Sequence, residues 1–368
     1  MIAVQTIYLT DNGIQLKRRS NRIVMKKEGK ILEEIPVLDM KRIVIFGNNQ
    51  LSTELMHFLA DKGVEVAFLS YWGKFKFRIV PENTRNIYLR MAQHDLYRDR
   101  DFRASLSRTV VKAKLGNQRS LLIRYQRNRP EVDLQVSVAA LKDYIDKADQ
   151  ADSVERLMGM EGIGSKVYFE SYGKLLSGGF DFKGREYYPP PDPVNALLSF
   201  GYMLLFNEML SLLEAFGLDV YLGFLHSVRP GRASLASDMM EDLRSPVIDR
   251  LVLYLINKGV VKPDQFTVSE EEKKKGIRMD DAARKAFLTN YERFMTARFQ
   301  DPGIAKRVSY REIMKEKVGG LECALLNRAE LKPYLTFPKL MNFNHLDHPN
   351  SSTSKGPKKG GDARIFSK

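Results

Sequence analysis

The chain has 368 residues, and its 59 Lys+Arg against 45 Asp+Glu leave a formal charge of +14. That length suggests two or three domains, each able to bury its own core, and 43% hydrophobic content excludes a chain disordered throughout. The single cysteine, Cys323, excludes an internal disulfide and a cysteine-built metal site, while the positive excess points to a polyanionic partner, nucleic acid before membrane.

The first 80 residues read as mostly β. Val4 to Thr10 is apolar and β-branched, and Asp11-Asn12-Gly13 is a hairpin turn signal. Short strands follow at Ile14 to Lys17, Arg22 to Lys26, Ile31 to Val37 and Ile43 to Phe46. Leu51 to Ala60 has helical spacing, Gly63 ends it, and Val64 to Leu69 returns as a strand. From about Asn86 the period changes from two to 3.6. Two helices are expected between Arg85 and Arg129, the second over Phe102 to Arg127 and broken by Pro130. Further helices are expected at Leu134 to Ala148, Ala151 to Leu176, Pro193 to Phe216, Ser234 to Lys258, Asp280 to Phe299 and Ser309 to Asn327. The fold class is therefore α+β: a small N-terminal β-rich domain over 1–85, then a larger all-α domain over 86–337. The tail over 338–368 is rich in Ser, Gly, Pro and Lys and reads as a disordered basic tail. The run Glu270 to Lys275 reads as a solvated hairpin or loop. No run of about 18 apolar residues appears, so no membrane-spanning helix is expected. The start lacks a basic stretch followed by an apolar one, so no signal peptide is expected and a reducing cytoplasm fits.

Lys74 to Arg129 carries 15 Lys/Arg and 4 Asp/Glu, which is most of the net charge. Aromatics are interleaved at its start: Tyr71, Trp72, Phe75, Phe77, Tyr88 and Tyr97. The charges read as a phosphate-binding surface. The aromatics read as core rather than as platforms for bases.

Three segments carry acids or an imidazole in unusual settings. Glu161 lies beside Gly162 and Gly164, which allow close backbone approach; the alternative is a helix-start carboxylate favoured by the dipole. His226 ends the apolar run Gly223-Phe224-Leu225 and opens the basic turn Ser227 to Arg232; taken alone it reads as a structural histidine. Asp238 and Glu241 are three apart on one helical face with Leu235, so they face inward and need a partner, either a metal or Arg244. One imidazole with two or three carboxylates is an oxygen-rich donor set suited to Mg²⁺ or Mn²⁺. Such an ion polarises a phosphodiester.

At these segments the sequence resembles the CRISPR-associated endonuclease/integrase family, the spacer-acquisition protein often called Cas protein one. The resemblance runs from about Ile7 to Phe337. It rests on Ile35 to Asp39, Phe46 to Thr53, Lys114-Leu115-Gly116-Asn117-Gln118-Arg119, Asp192 to Tyr202, Gly223 to His226 and Asp238 to Arg244. It implies a metal site built from Glu161, His226 and Glu241, with Asp238 as a nearby acid. It also implies an N-terminal β domain, a C-terminal helical domain, a homodimer and assembly with Cas protein two. Lys166 stands where the family commonly has Arg, which keeps the charge and loses the bidentate fork. Ser237 stands where an apolar residue is usual. Arg229, Arg232, Lys166 and Arg244 are expected to clamp DNA phosphates. Asn195, Ser199 and Tyr202 share one helix and form either a polar stripe reaching the site or ordinary helix packing.

The leading functional expectation is a metal-dependent integrase and nuclease that joins prespacer 3′-hydroxyl ends to double-stranded CRISPR repeat DNA. The alternatives are a nuclease that hydrolyses branched DNA and a noncatalytic DNA-binding scaffold.

Overall fold

A computed structural model describes residues 5–79, 86–186, 189–269, 276–300, 306–335 and 363–366. The chain is α+β, and it divides into two units, neither of them one continuous segment.

The first unit combines residues 1–83, 279–293 and 349–368. Its main sheet contains β1 (Thr6–Leu9), β5 (Arg42–Phe46), β7 (Glu65–Leu69), β8 (Phe75–Ile79) and β13 (Ala363–Phe366), in the order β13-β1-β5-β7-β8. All pairings are parallel except β7 with β8. All four residues of β1 are buried, as a strand covered on both faces requires. A second sheet takes β2 (Gln15–Arg19), β3 (Arg22–Lys27), β4 (Lys30–Pro36) and β6 (Gln50–Leu51) in the order β4-β3-β2-β6. Helix α1 (Thr53–Asp61) makes the crossover that parallel β5 and β7 need. Its N-cap Ser52 accepts from the Leu55 N–H at 3.3 Å. Ile7, Leu16, Ile43, Leu55 and Leu59 share one core between the sheets and α1.

Two expectations change here. The sequence predicts a tail without regular structure over 338–368, yet Ala363–Phe366 pairs along β1, and the Thr10 hydroxyl donates to the Phe366 carbonyl at 2.6 Å. An open parallel edge has unpaired backbone groups that a short apolar segment satisfies. The sequence also assigns 279–293 to the helical domain. Helix α9 (Asp281–Thr296) instead starts within the first unit, where Arg284 donates to the Tyr71 carbonyl at 2.7 Å and Tyr8 to Glu292 at 2.5 Å. The expected boundary at residue 85, the run Glu270 to Lys275 and residues 338–362 of the tail lie outside the described residues.

The second unit is mostly helical: α2 (Ile87–Arg98), α3 (Arg100–Asn128), α4 (Gln135–Asp149), α5 (Val154–Gly173), α6 (Pro193–Ala215), α7 (Ser234–Leu243), α8 (Arg250–Asn257) and α10 (Tyr310–Asn327). It also holds two small strand pairs, β9 (Phe266–Ser269) with β10 (Gly276–Met279) and β11 (Phe299–Gln300) with β12 (Arg307–Val308), although Met279 itself falls in the first unit. Asp99 ends α2 and caps α3, accepting from the Phe102 N–H at 3.1 Å. Asp192 caps α6, with Pro193 in the first turn where a missing N–H costs nothing. Contrary to the sequence reading, α6 is long and apolar enough to cross a membrane, but most of that stretch is buried inside the fold, as in a core helix. The single helix expected over Ser234 to Lys258 is interrupted by a π-helical turn, Arg244–Asp249. Pro246 sits inside it; its ring and missing N–H disrupt a regular α-turn, and one wide turn absorbs the mismatch.

Candidate active site

Two glycines bring the acidic segments together. A Cβ on Gly164 would stand 2.6 Å from Leu115 Cδ2, so a larger residue there would displace the Leu115 side chain that fills the space between α5 and α3. That packing places Glu161, one turn earlier on α5, against Lys114 of α3. Glu161 lies inside α5 rather than at a helix start, so the dipole alternative fails. A Cβ on Gly223 would meet the Ser234 carbonyl carbon at 2.7 Å and Asp238 Oδ2 at 2.8 Å. The strip 223–226 therefore lies directly on the first turns of α7.

Asp238 is 0% exposed and ties that strip down. Its carboxylate accepts from the backbone N–H of Phe224 (2.6 Å), Leu225 (2.9 Å) and His226 (3.0 Å). The same carboxylate meets His226 Nδ1 at 2.6 Å. An acceptor on Nδ1 selects the Nδ1–H tautomer and leaves Nε2 as the electron-pair donor. That Nε2 lies 3.9 Å from Glu241 Oε1. The acid near His226 thus orients the imidazole and is itself enclosed.

Glu241 is 2% exposed, one helical turn along α7. Burial pushes its carboxyl up, but the charges of Arg244 at 3.3 Å and Lys114 at 2.7 Å lead the opposing interactions that hold it down to about 2. Lys114 also bonds Glu161, whose Oε1 accepts from the Ser165 hydroxyl at 2.9 Å. Burial lowers Lys114, and the two glutamates raise it by more. The ammonium is therefore a buried cation shared by two carboxylates from different helices.

The donor chemistry fits a hard divalent ion: two carboxylates, and an imidazole nitrogen whose partner nitrogen is already fixed. Among the described residues no three His, Cys, Asp or Glu side chains converge closely enough to enclose a metal. Lys114 stands between Glu161 and Glu241 instead. Of the two partners expected for the inward-facing pair Asp238 and Glu241, Arg244 is engaged, at 3.3 Å from Glu241.

The other expected residues separate into two groups. Lys166 and Arg229 are exposed and Arg232 is half-buried. Arg229 and Arg232 flank a turn closed by the Arg232 N–H to the Arg229 carbonyl at 3.1 Å. Asn195 and Tyr202 are enclosed, so a DNA-facing polar stripe is not formed. Asn195 spans the chain before α6: its side chain donates to the Gly184 carbonyl at 2.9 Å and accepts from the Glu186 N–H at 2.9 Å and from Arg185 at 2.7 Å. Ser199 accepts from Arg185 at 3.0 Å. The Tyr202 hydroxyl donates to Asp249, which also accepts from Tyr168 at 2.8 Å. Burial raises Asp249 above the usual carboxylate range, although these hydroxyls oppose it. The guanidiniums of Arg185 and Arg244 lie 5.4 and 4.9 Å from the Tyr202 ring centre. The helix-packing alternative therefore holds for Asn195 and Tyr202, and its product is a fixed position for Arg185.

Sequence reasoning missed Lys114 and Arg185 as site residues. The Lys-Leu-Gly-Asn-Gln motif was the available signal for Lys114, but the basic segment reads as lying apart from the acids. Several of its side chains also serve the fold rather than an open surface. Arg90 donates to the Gly217 carbonyl, Arg103 to Phe224 and Arg108 to Ala151, each at 2.8 Å. The aromatics depart from expectation as well. Phe77 is 54% and Tyr88 76% exposed, and Phe77 stacks on Phe68 at 4.3 Å.

The family model for the CRISPR associated protein Cas1 matches residues 7–293. The chain belongs to the Cas1 family. A CRISPR-associated endonuclease Cas1 of Chlorobaculum tepidum is 34% identical over 313 residues, which cover 83% of this chain and 90% of that one. Among solved structures, a casposase bound to integration product superposes with a TM-score of 0.78 at 22% identity, covering 92% of this chain and 94% of that one. A Cas6-RT-Cas1–Cas2 complex gives 0.76 at 23% identity over 92% of this chain and 36% of that one. At those identities the two structures speak for the Cas1 fold alone. The acid and imidazole cluster of the second unit lies within the matched residues.

Proposed function

We propose that the protein is a Mg²⁺- or Mn²⁺-dependent DNA integrase that joins prespacer 3′-hydroxyl ends to the CRISPR repeat. The observation that carries this reading is that Glu161 and Glu241 share one ammonium, Lys114, while His226 Nε2 lies 3.9 Å from Glu241 and Nδ1 of the imidazole is already committed to Asp238. Glu161, Glu241 and His226 Nε2 would hold the ion. When bound, the ion supplies Lewis-acid stabilisation to the phosphoryl oxygens. Asp238 keeps the His226 ring in one orientation and tautomer. Arg244 and Lys114 offset the charge of the acids. Exposed Lys166 and Arg229, with half-buried Arg232, supply phosphate contacts along the approaching duplex. In the transfer, a 3′-oxygen forms a new bond to phosphorus and the repeat's own 3′-oxygen leaves with the electron pair, so no high-energy cofactor is consumed. With water in place of the 3′-hydroxyl, the same site would hydrolyse branched DNA.

The solved complexes named with Cas2 and with an integration product are consistent with a Cas2 partner and with DNA joining. A homodimer formed through the β-rich unit fits its exposed apolar residues Ile31, Leu32 and Leu38. The test is joining of a fluorescent prespacer to a supercoiled CRISPR plasmid in the presence of the Cas2 partner. Glu161→Ala and His226→Ala should abolish joined product while leaving duplex binding in EDTA in place. Joining that survives both substitutions would overturn the reading, and cut product without joined product would select hydrolysis.

A further inference from the structure

Strand β1 pairs with β5 on one side and with the tail segment β13 on the other. The tail runs parallel to β1 in a register from Thr6 opposite Ala363 to Leu9 opposite Phe366. Successive strand residues face opposite ways, so Arg364 and Phe366 share one face and Ile365 takes the other. On the shared face Arg364 pairs with Glu33 of β4, and Phe366 packs against the core that holds Ile7, Leu9 and Ile43. The end of the segment is fixed by Thr10, which is 2% exposed. Its N–H (3.0 Å) and its hydroxyl (2.6 Å) both donate to the Phe366 carbonyl. The edge thus reads three features of its occupant: a cation, an aromatic ring two positions later, and the carbonyl of that aromatic residue.

The plain alternative is an edge cover that never leaves, since an open edge invites pairing with other chains. Burial separates β13 from a core strand. All four residues of β1 are buried, whereas Arg364, Ile365 and Phe366 are only half-buried. The side chains of Glu33 and Arg364 are 33% and 42% exposed, so their attraction is screened and water can replace either partner. Strand β1 keeps its ladder to β5 when β13 departs. The tail also pairs with a strand more than 350 residues earlier, so it is held as a tethered ligand and not as a hairpin arm. A tether supplies an effective concentration on the order of 1 mM.

We infer that the β1 edge is a strand-addition site selective for an extended basic–aliphatic–aromatic segment, that the chain fills it with its own Ala363–Phe366, and that the same segment offered by a second molecule takes its place when the tethered one is disengaged. Affinity in such a site comes from main-chain hydrogen bonds and selectivity from alternate side chains. Here Glu33 and the core beneath Phe366 supply the selectivity, and Thr10 fixes the register. None of these residues belongs to the acid and imidazole cluster, so the inference stands apart from the proposed reaction.

The test uses the full chain with its own segment disabled, Arg364→Glu/Phe366→Ser, and follows the anisotropy of a fluorescein-labelled peptide of residues 361–368. The disabled chain should bind the peptide. In the unsubstituted chain the tethered copy outweighs about 0.1 mM peptide roughly tenfold, so uptake should fall by about that factor. A peptide with its arginine and phenylalanine exchanged should bind neither protein. Hydrogen exchange at the Thr10 amide should quicken in the disabled chain and slow again when the peptide is added. Glu33→Lys leaves the tail sequence intact and gives a second check: it should release the segment and prefer a peptide with Glu in place of Arg364 over the natural one. No uptake by the disabled chain, equal uptake by disabled and unsubstituted chains, or a Thr10 amide whose exchange is unchanged by disabling the segment would each overturn the inference. Preference of Glu33→Lys for the natural peptide would overturn it as well.

Discussion

Replacing Lys114 by Met keeps the side-chain length and removes one buried charge. In the folded protein this ammonium is the only group seen to touch both Glu161 and Glu241 among the described residues. The side chains of Lys114 and Glu241 are 7% and 2% exposed, so water cannot take over the lost role. Taking one partner from a buried ion pair costs about 3–5 kcal/mol, because the remaining charge is left without compensation. For a unit of this size that corresponds to a fall in melting temperature of roughly 10 °C. Two rescues are expected. Lys114→Met/Glu241→Gln should recover much of the loss, since the uncompensated carboxylate is gone. Mg²⁺ or Mn²⁺ should raise the melting temperature of Lys114→Met by more than that of the unsubstituted protein, since both glutamates then lack their built-in cation. Thermal unfolding of the three proteins followed by circular dichroism, with EDTA or with the metal, gives these values. A Lys114→Met protein that melts with the unsubstituted chain in EDTA would refute the argument.

Glu241 also makes acid stability testable. Its carboxyl is held at about 2 against an ordinary 4.5, so its stabilising contribution is complete above about pH 4.5 and is lost as pH falls toward 2. That shift is worth roughly 3 kcal/mol, and Glu241→Gln should flatten the acid limb of a urea-denaturation series by about that amount. Asp238→Ala should destabilise by more than about 3 kcal/mol, since three backbone donors and His226 lose their acceptor together, whereas Asp238→Asn keeps an acceptor oxygen and should fold with most of its stability but little activity; paired melts and nuclease assays check this. Gly164→Ala should cost roughly 1–3 kcal/mol and depress activity, because the added methyl meets Leu115 and pushes α5 away from Lys114; equal activity per folded molecule would count against this account of the helix crossing. Asn195→Ala should lower the melting temperature through the Gly184 carbonyl and the Glu186 N–H that lose their bonds to it, with duplex affinity in EDTA unchanged; a selective loss of affinity would restore a DNA-facing role for Asn195.

Local rules carried much of the sequence reading. Period two gave the strands of the first unit because their faces alternate or are wholly buried. Period 3.6 gave α3, α5, α6 and α10 because their turns repeat apolar positions. The break at Pro246 was harder to read, since a proline inside a helix leads to a kink, a break or a π turn depending on what packs against it. The strand at Ala363–Phe366 was invisible because its pairing partner, β1, lies more than 350 residues earlier. In the site, residue type and order were legible: Glu161 and Glu241 both reach Lys114, and His226 and Asp238 lie beside Glu241. Their division of labour was not, because spacing cannot separate an acid that orients an imidazole from an acid that presents its oxygens.

What the sequence by itself determined is most of the run of elements and the residue types of the acid and imidazole motifs in the second unit, since each depends on neighbours a few positions apart. Only the tertiary structure decided that Lys114, drawn from the basic segment, stands between two acids, that Asn195 and Tyr202 are enclosed, and that much of the positive charge answers carbonyl groups of the fold. The physical reason is the same in each case. A cation's role depends on what lies within a few ångströms of it, and here those neighbours are set by the close approach of α5 to α3 at Gly164 and of the strip 223–226 to α7 at Gly223. The charge of +14 was correct as a count; its placement required the fold.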